Sequence, residues 1–79
     1  MQVDKLPLRQ KMRISSVDWA EISDNEAQRL RAMGVETGAI IEALHRGILF
    51  WKDPIALRVG RMNIAMRSKT ASAIRCEAL

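Results

Sequence analysis

The stretch that decides the fold is Ile55-Ala56-Leu57-Arg58-Val59-Gly60-Arg61-Met62-Asn63-Ile64-Ala65-Met66-Arg67. Ile55, Leu57 and Val59 alternate with Ala56 and Arg58, the two-residue period of a strand buried on one face. Met62, Ile64 and Met66 alternate in the same way with Asn63, Ala65 and Arg67. Gly60-Arg61 supplies a tight turn between the two runs, so the stretch reads as a β-hairpin. Pro54 precedes it and starts the chain in an extended form.

The neighbouring segments extend the β reading. Residues 39–46 form a β-rich run, with Ile41 and Ala43 on one face and Ile40, Glu42 and Leu44 on the other. Gly47 is expected to interrupt that run and leave residues 47–53 as an unusually apolar connection. Glu36-Thr37-Gly38 reads as a turn. Nearer the start, residues 11–17 read as a strand in which Met12 and Ile14 alternate with Arg13 and Ser15. Ser15-Ser16 invites a bulge before Val17. Residues 18–22 connect onward and carry Trp19. Beyond the hairpin, residues 68–72 suit one helical turn capped by Ser68, and residues 73–77 a short last strand.

One helix stands out. Ser23-Asp24-Asn25-Glu26 has the spacing of a capping box, in which the Ser23 hydroxyl accepts from the Glu26 amide and Glu26 reaches back to the Ser23 amide. Asp24 places negative charge at the positive end of the helix. Ala27, Leu30 and Met33 recur at three-residue spacing as one apolar stripe. Gly34 then fits the left-handed residue that ends a helix, with Val35 packing back on the last turn. Such a helix spans about three turns and must lean on the rest of the domain.

The sum is a mostly-β (α+β) chain: a small SH3-like five-stranded barrel with a helix inserted after the first strand. Closing into a barrel removes exposed sheet edges. Ile14, Ile41, Leu57, Val59, Ile64, Met66 and Ile74 are expected to fill it. The 79 residues allow one domain, residues 1–79, without linker or repeat. A chain this short has a marginal core, which the 48% hydrophobic content offsets.

Composition also bounds function. No apolar run approaches the ~18 residues of a membrane span, and residues 1–5 lack a signal peptide's apolar core. With a lone cysteine, Cys76, no internal disulfide forms. A cytoplasmic location is the expectation, with Cys76 as a small buried hydrophobe. No phosphate-binding glycine motif is present, and His45 is the lone histidine. A nucleophile–base pair or a metal site would need more ligands than His45 with Glu42. The chain is therefore read as a binding protein and not an enzyme, with no cofactor, no metal and no small-molecule substrate. The formal charge of +4 comes from basic residues that read as scattered. Three aromatics give no polyproline shelf and no base-stacking platform.

Taken in order, several pieces resemble the FeoA family of bacterial ferrous iron transport. Arg29-Leu30-Arg31-Ala32-Met33-Gly34-Val35, followed by Gly38, resembles the family's "RL..LG" run, a hydrophobic residue and a second glycine. Asp53-Pro54-Ile55 resembles its "GDP" and following apolar residue, Ile64-Ala65-Met66-Arg67 its "LALR", and Ala71, Ile74 and Cys76 its "A..I.V". The likeness covers residues 11–78. Two departures stand out: Arg9-Gln10 occupies the place of a common glycine, and Ile48 to Lys52 replace a proline–glycine pair. The resemblance implies an SH3-like barrel that assists FeoB, a membrane transporter with a cytosolic guanine-nucleotide-binding domain. The alternative is a small basic barrel that binds nucleic acid, or the regulatory domain of a metal-dependent repressor.

The partner-binding residues expected from the sequence are Ile48, Phe50, Trp51 and Lys52. Four consecutive apolar residues between strands exceed what a period-2 pattern buries, and Trp51 adjoins a polar turn. The same patch would serve a homo-oligomer. Ser23, Leu30, Gly34 and Gly38 are expected to be structural.

Overall fold

In the hairpin of residues 55–66, Ile55 lies opposite Met66, Leu57 opposite Ile64 and Val59 opposite Met62. Gly60, at φ 58°, takes the first central position of its two-residue turn. A computed structural model of the chain describes residues 1–48 and 51–79, with backbone alone for Ile48, Trp51 and Lys52. Along the chain run β1 (Lys11–Val17), α1 (Asp24–Ala32), β2 (Ile40–Ile48), β3 (Trp51–Val59), β4 (Met62–Met66), α2 (Ser68–Ala71) and β5 (Ile74–Ala78). Short 3₁₀ turns occupy Val3–Lys5 and Trp19–Glu21. The described strands form one antiparallel sheet in the order β4-β3-β2-β1-β5. This is the mostly-β, SH3-like arrangement with a helix after the first strand. Its two end strands, β4 and β5, are joined through α2 and not by a ladder, so the barrel is not closed by hydrogen bonds.

All seven residues expected in the interior are buried. The register of β1 on β5 shifts between Ile14 and Ser16, where the paired serines suggested a bulge. Leu30 and Ala27 are buried, and half-buried Met33 packs against the same core. Gly34 has φ 94°. Its N–H donates to the Arg31 carbonyl and that of Val35 to the Leu30 carbonyl, the paired bonds of a Schellman ending. Gly38, at φ 95°, turns the chain so that its N–H reaches the Ile14 carbonyl at 2.8 Å.

Three local expectations need correction. Gly47 does not end β2, which runs on to Ile48, while β3 begins at Trp51. Gly47 instead holds φ 60° where the β2–β3 register shifts between Arg46 and Ile48, standing opposite the longer β3 run between Trp51 and Ile55. In the capping box, the Ser23 oxygen accepts from the Glu26 N–H at 3.3 Å. The Glu26 carboxylate does not return the bond; it pairs with Arg29 one turn on, at 3.0 Å. Finally, Ser68 is not the cap of α2. Arg67 holds that position, and the Ser68 N–H donates to Asp53 Oδ1 at 2.6 Å. The carboxylate of a distant strand satisfies a donor that the helix leaves open.

Candidate functional site

Of the expected contact patch, Phe50 and the side chains of Ile48, Trp51 and Lys52 lie outside the described residues. The backbone shows Ile48 opposite Trp51 in the β2–β3 ladder. Lys52, Asp53 and Pro54 are β3 residues, so Trp51 adjoins a strand and not the exposed turn expected for it. The other tryptophan is accounted for. Trp19 packs against the core, with the Arg31 guanidinium 4.2 Å above its ring.

Asp53 links the beginning of β3 to the beginning of α2. The Ser68 hydroxyl and backbone N–H bond its carboxylate and hold its pKa below the usual aspartate value, with Arg67 assisting. This tie forms one end of an open groove of about 550 Å³. Glu26 and Arg29 of α1 stand on one side; Ala65, Met66 and Arg67 stand on the other. Arg29 spans the gap: its Nη2 donates to Glu26 Oε1 at 3.0 Å and to the Ala65 carbonyl at 3.4 Å. The helix thus meets the outer edge of β4 through one guanidinium.

The charge around that edge is one-sided and not scattered. Residues 54–76 contain Arg58, Arg61, Arg67, Lys69 and Arg75 and not one of the chain's 9 acids. All five are exposed. Arg58 has a partial partner, Glu42, at 3.8 Å. The positive excess of the molecule therefore sits on the β3–β4 hairpin, α2 and the start of β5. The acid-free run is visible in the sequence once acids are mapped as well as cations.

Chemistry-bearing side chains do not converge elsewhere among the described residues. His45 is exposed on β2. No group of three His, Cys, Asp or Glu residues that could hold a metal ion occurs among the described residues. Cys76 is 1% exposed, and burial pushes its thiol pKa up. This keeps it neutral and inert. No described helix is long and apolar enough to cross a membrane.

Comparison with known proteins agrees with this architecture. The profile of the FeoA domain family matches residues 1–78. The FeoA protein of Chlorobium tepidum superposes with a TM-score of 0.85 at 25% identity, over all of this chain and 70% of its own. Iron(II) transport protein A of Clostridium thermocellum gives 0.82 at 29% identity, over all of this chain and 46% of its own. Stenotrophomonas maltophilia FeoA, solved with zinc and described as a procaryotic SH3 domain protein, gives 0.76 at 25%, over 98% of this chain and 89% of its own. No curated protein sequence matches.

Proposed function

Because the chain belongs to the FeoA domain family, whose members are associated with ferrous iron transport, we propose that it is a non-enzymatic accessory protein of that transport. In this reading it resides in the cytoplasm and docks on the cytosolic part of a FeoB-like membrane transporter that carries a guanine-nucleotide-binding domain. The observation that carries the reading is the family match along residues 1–78, joined to an SH3-like fold. The surface supports it: an open groove, an outer strand edge and the acid-free, basic run of residues 54–76 suit docking better than turnover.

The test is capture of the protein by the transporter's immobilised cytosolic domain, paired with ferrous iron uptake in cells lacking the gene. Stoichiometric capture, with uptake restored by the wild-type gene, is expected. Normal uptake without the gene, or no capture at micromolar protein, would overturn the reading. The docked protein is also proposed to carry no tight ferrous iron of its own and to hydrolyse no GTP. Stoichiometric micromolar iron binding that disappears in His45→Ala would contradict the first of these. Trp51→Ser tests the patch expected at Ile48, Phe50, Trp51 and Lys52: weaker capture or self-association with an unchanged thermal midpoint supports it, and unchanged capture and sedimentation sink it.

A further inference from the structure

The β3–β4 ladder starts at Val59 opposite Met62, directly beyond the turn. Bonded and non-bonded pairs alternate from there. Leu57–Ile64 and Ile55–Met66 exchange bonds across the ladder, so Asn63 and Ala65 turn their N–H and C=O groups away from β3. The contact from Arg29 to the Ala65 carbonyl agrees with that direction. The Asn63 and Ala65 N–H groups meet no protein acceptor among the described residues. The other end strand is treated differently. Gln2 bridges to Arg75, and the Met1 carbonyl accepts from the Cys76 N–H at 2.7 Å, so the chain's own start covers β5. On β4, a single guanidinium stands where a neighbouring strand would be.

The surroundings select the occupant. Arg61 and Arg67 flank β4, and residues 54–76 hold no acid and no aromatic residue. Of the acids bordering the groove, Glu26 is engaged by Arg29 and Asp53 by Ser68, leaving Glu21. A second copy pairing β4 against β4 would set Arg61 and Arg67 against cations. Nucleic acid would find phosphate contacts but no stacking surface. We propose that the outer edge of β4 accepts an extended acidic segment of a protein partner by strand addition. The partner's backbone pairs with Asn63 and Ala65, and its carboxylates face Arg61, Arg67 and Lys69. Arg29 passes from the Ala65 carbonyl to a ligand carboxylate. The proposal deepens the docking reading and rests on it for the partner's identity, though not for the chemistry of the edge.

The probe is a fluorescent eight-residue peptide alternating Glu with Val or Thr. Ala65→Pro removes an outward N–H and leaves the β3 ladder intact, as proline is tolerated on edge strands. Its affinity should fall at least tenfold with the thermal midpoint within a few degrees of wild type. Arg61→Glu should weaken binding at least threefold and flatten its salt dependence. In wild type, peptide should slow exchange of the Asn63 and Ala65 amides at least tenfold, a readout that stands even if Ala65→Pro fails to fold. Unchanged affinity in folded Ala65→Pro, unchanged exchange, or no saturable binding at low salt would overturn the proposal. So would tighter binding of a dT20 oligonucleotide, indifferent to Ala65→Pro, or a peptide-free dimer protecting the same two amides. Peptide binding without capture by the transporter's cytosolic domain would sink the docking reading alone. Equal capture of wild type and Ala65→Pro would sink the edge alone.

Discussion

Gly34 and Arg9 both hold positive φ, at 94° and 65°. A Cβ placed on Gly34 would meet nothing within 4 Å. The cost of Gly34→Ala is therefore confined to the backbone, about 1–2 kcal/mol, and a lowered urea midpoint should show it. Arg9 is the reverse case. Its N–H donates to the Ala43 carbonyl at 2.7 Å and Leu8 bridges to Ala43, which brings the chain alongside β2 before β1 begins. The FeoA pattern commonly has a glycine at the place of Arg9-Gln10. Arg9→Gly should relieve the left-handed strain and lose part of that gain to glycine's freedom when unfolded, a net stabilisation of about 0.5–1 kcal/mol. A lower midpoint for Arg9→Gly would show that its side chain matters more than its backbone. Asp53 adds a pH dependence of defined sign. Its folded pKa is depressed by the Ser68 hydroxyl and N–H. Its contribution is complete above the ordinary aspartate value and is lost as pH falls through the folded one. Asp53→Asn should thus be less stable than wild type at pH 7, and the two urea midpoints should converge in acid. A gap that persists at pH 2 would locate the effect outside the carboxylate's charge.

At the scale of the element, α1 is nine residues long and buries Ala27 and Leu30. A helix that short does not persist alone, so Leu30 fixes it to the sheet. Leu30→Ala should cost about 2–5 kcal/mol. Against a total of about 4–12 kcal/mol for a chain of this size, that is a large share, and chemical denaturation measures it directly. An unchanged midpoint would mean that the helix does not depend on its apolar stripe. This helix, β1 with its bulge and the β3–β4 hairpin were legible because local pattern and tertiary burial agree there. Gly47 was not legible: a left-handed glycine serves a turn and a register shift within a strand equally, and the ladder on both sides decides which. The Asp53 carboxylate that accepts from the first N–H of α2 was equally hidden, since a carboxylate fifteen positions away has no local signature. The candidate site was legible in one respect, the acid-free stretch. Which backbone groups face outward along β4 follows from ladder register and appears only in the fold.

For the whole molecule, the least expected feature is the segment ahead of β1. Val3 and Leu6 are fully buried within the core cluster of the described residues. Arg46 Nη2 donates to the carbonyls of Asp4, at 3.2 Å, and Leu6, fixing that turn from β2. The segment thus runs from the edge of β5, through the core, to β2. Val3 and Leu6, three apart in a mixed run that also holds Met1 and Leu8, are a weak signal, and the FeoA match beginning at residue 1 agrees with their structural role. Leu6→Ala removes a fully enclosed side chain and should cost about 2–5 kcal/mol. Arg46→Met keeps the side chain's bulk and leaves two carbonyls without their donor, which should cost about 1–3 kcal/mol. Cys76 reports the opening of this part of the molecule, because its buried thiol belongs to the same core cluster and its backbone is paired with residue 1. Both variants should raise the rate at which a thiol reagent labels Cys76 under native conditions. The increase should exceed that of an exposed-surface control such as Lys69→Ala. If labelling of both variants follows only their global stability loss, measured in parallel by urea, the segment opens with the whole domain. If labelling does not rise at all, the segment is not what closes the core.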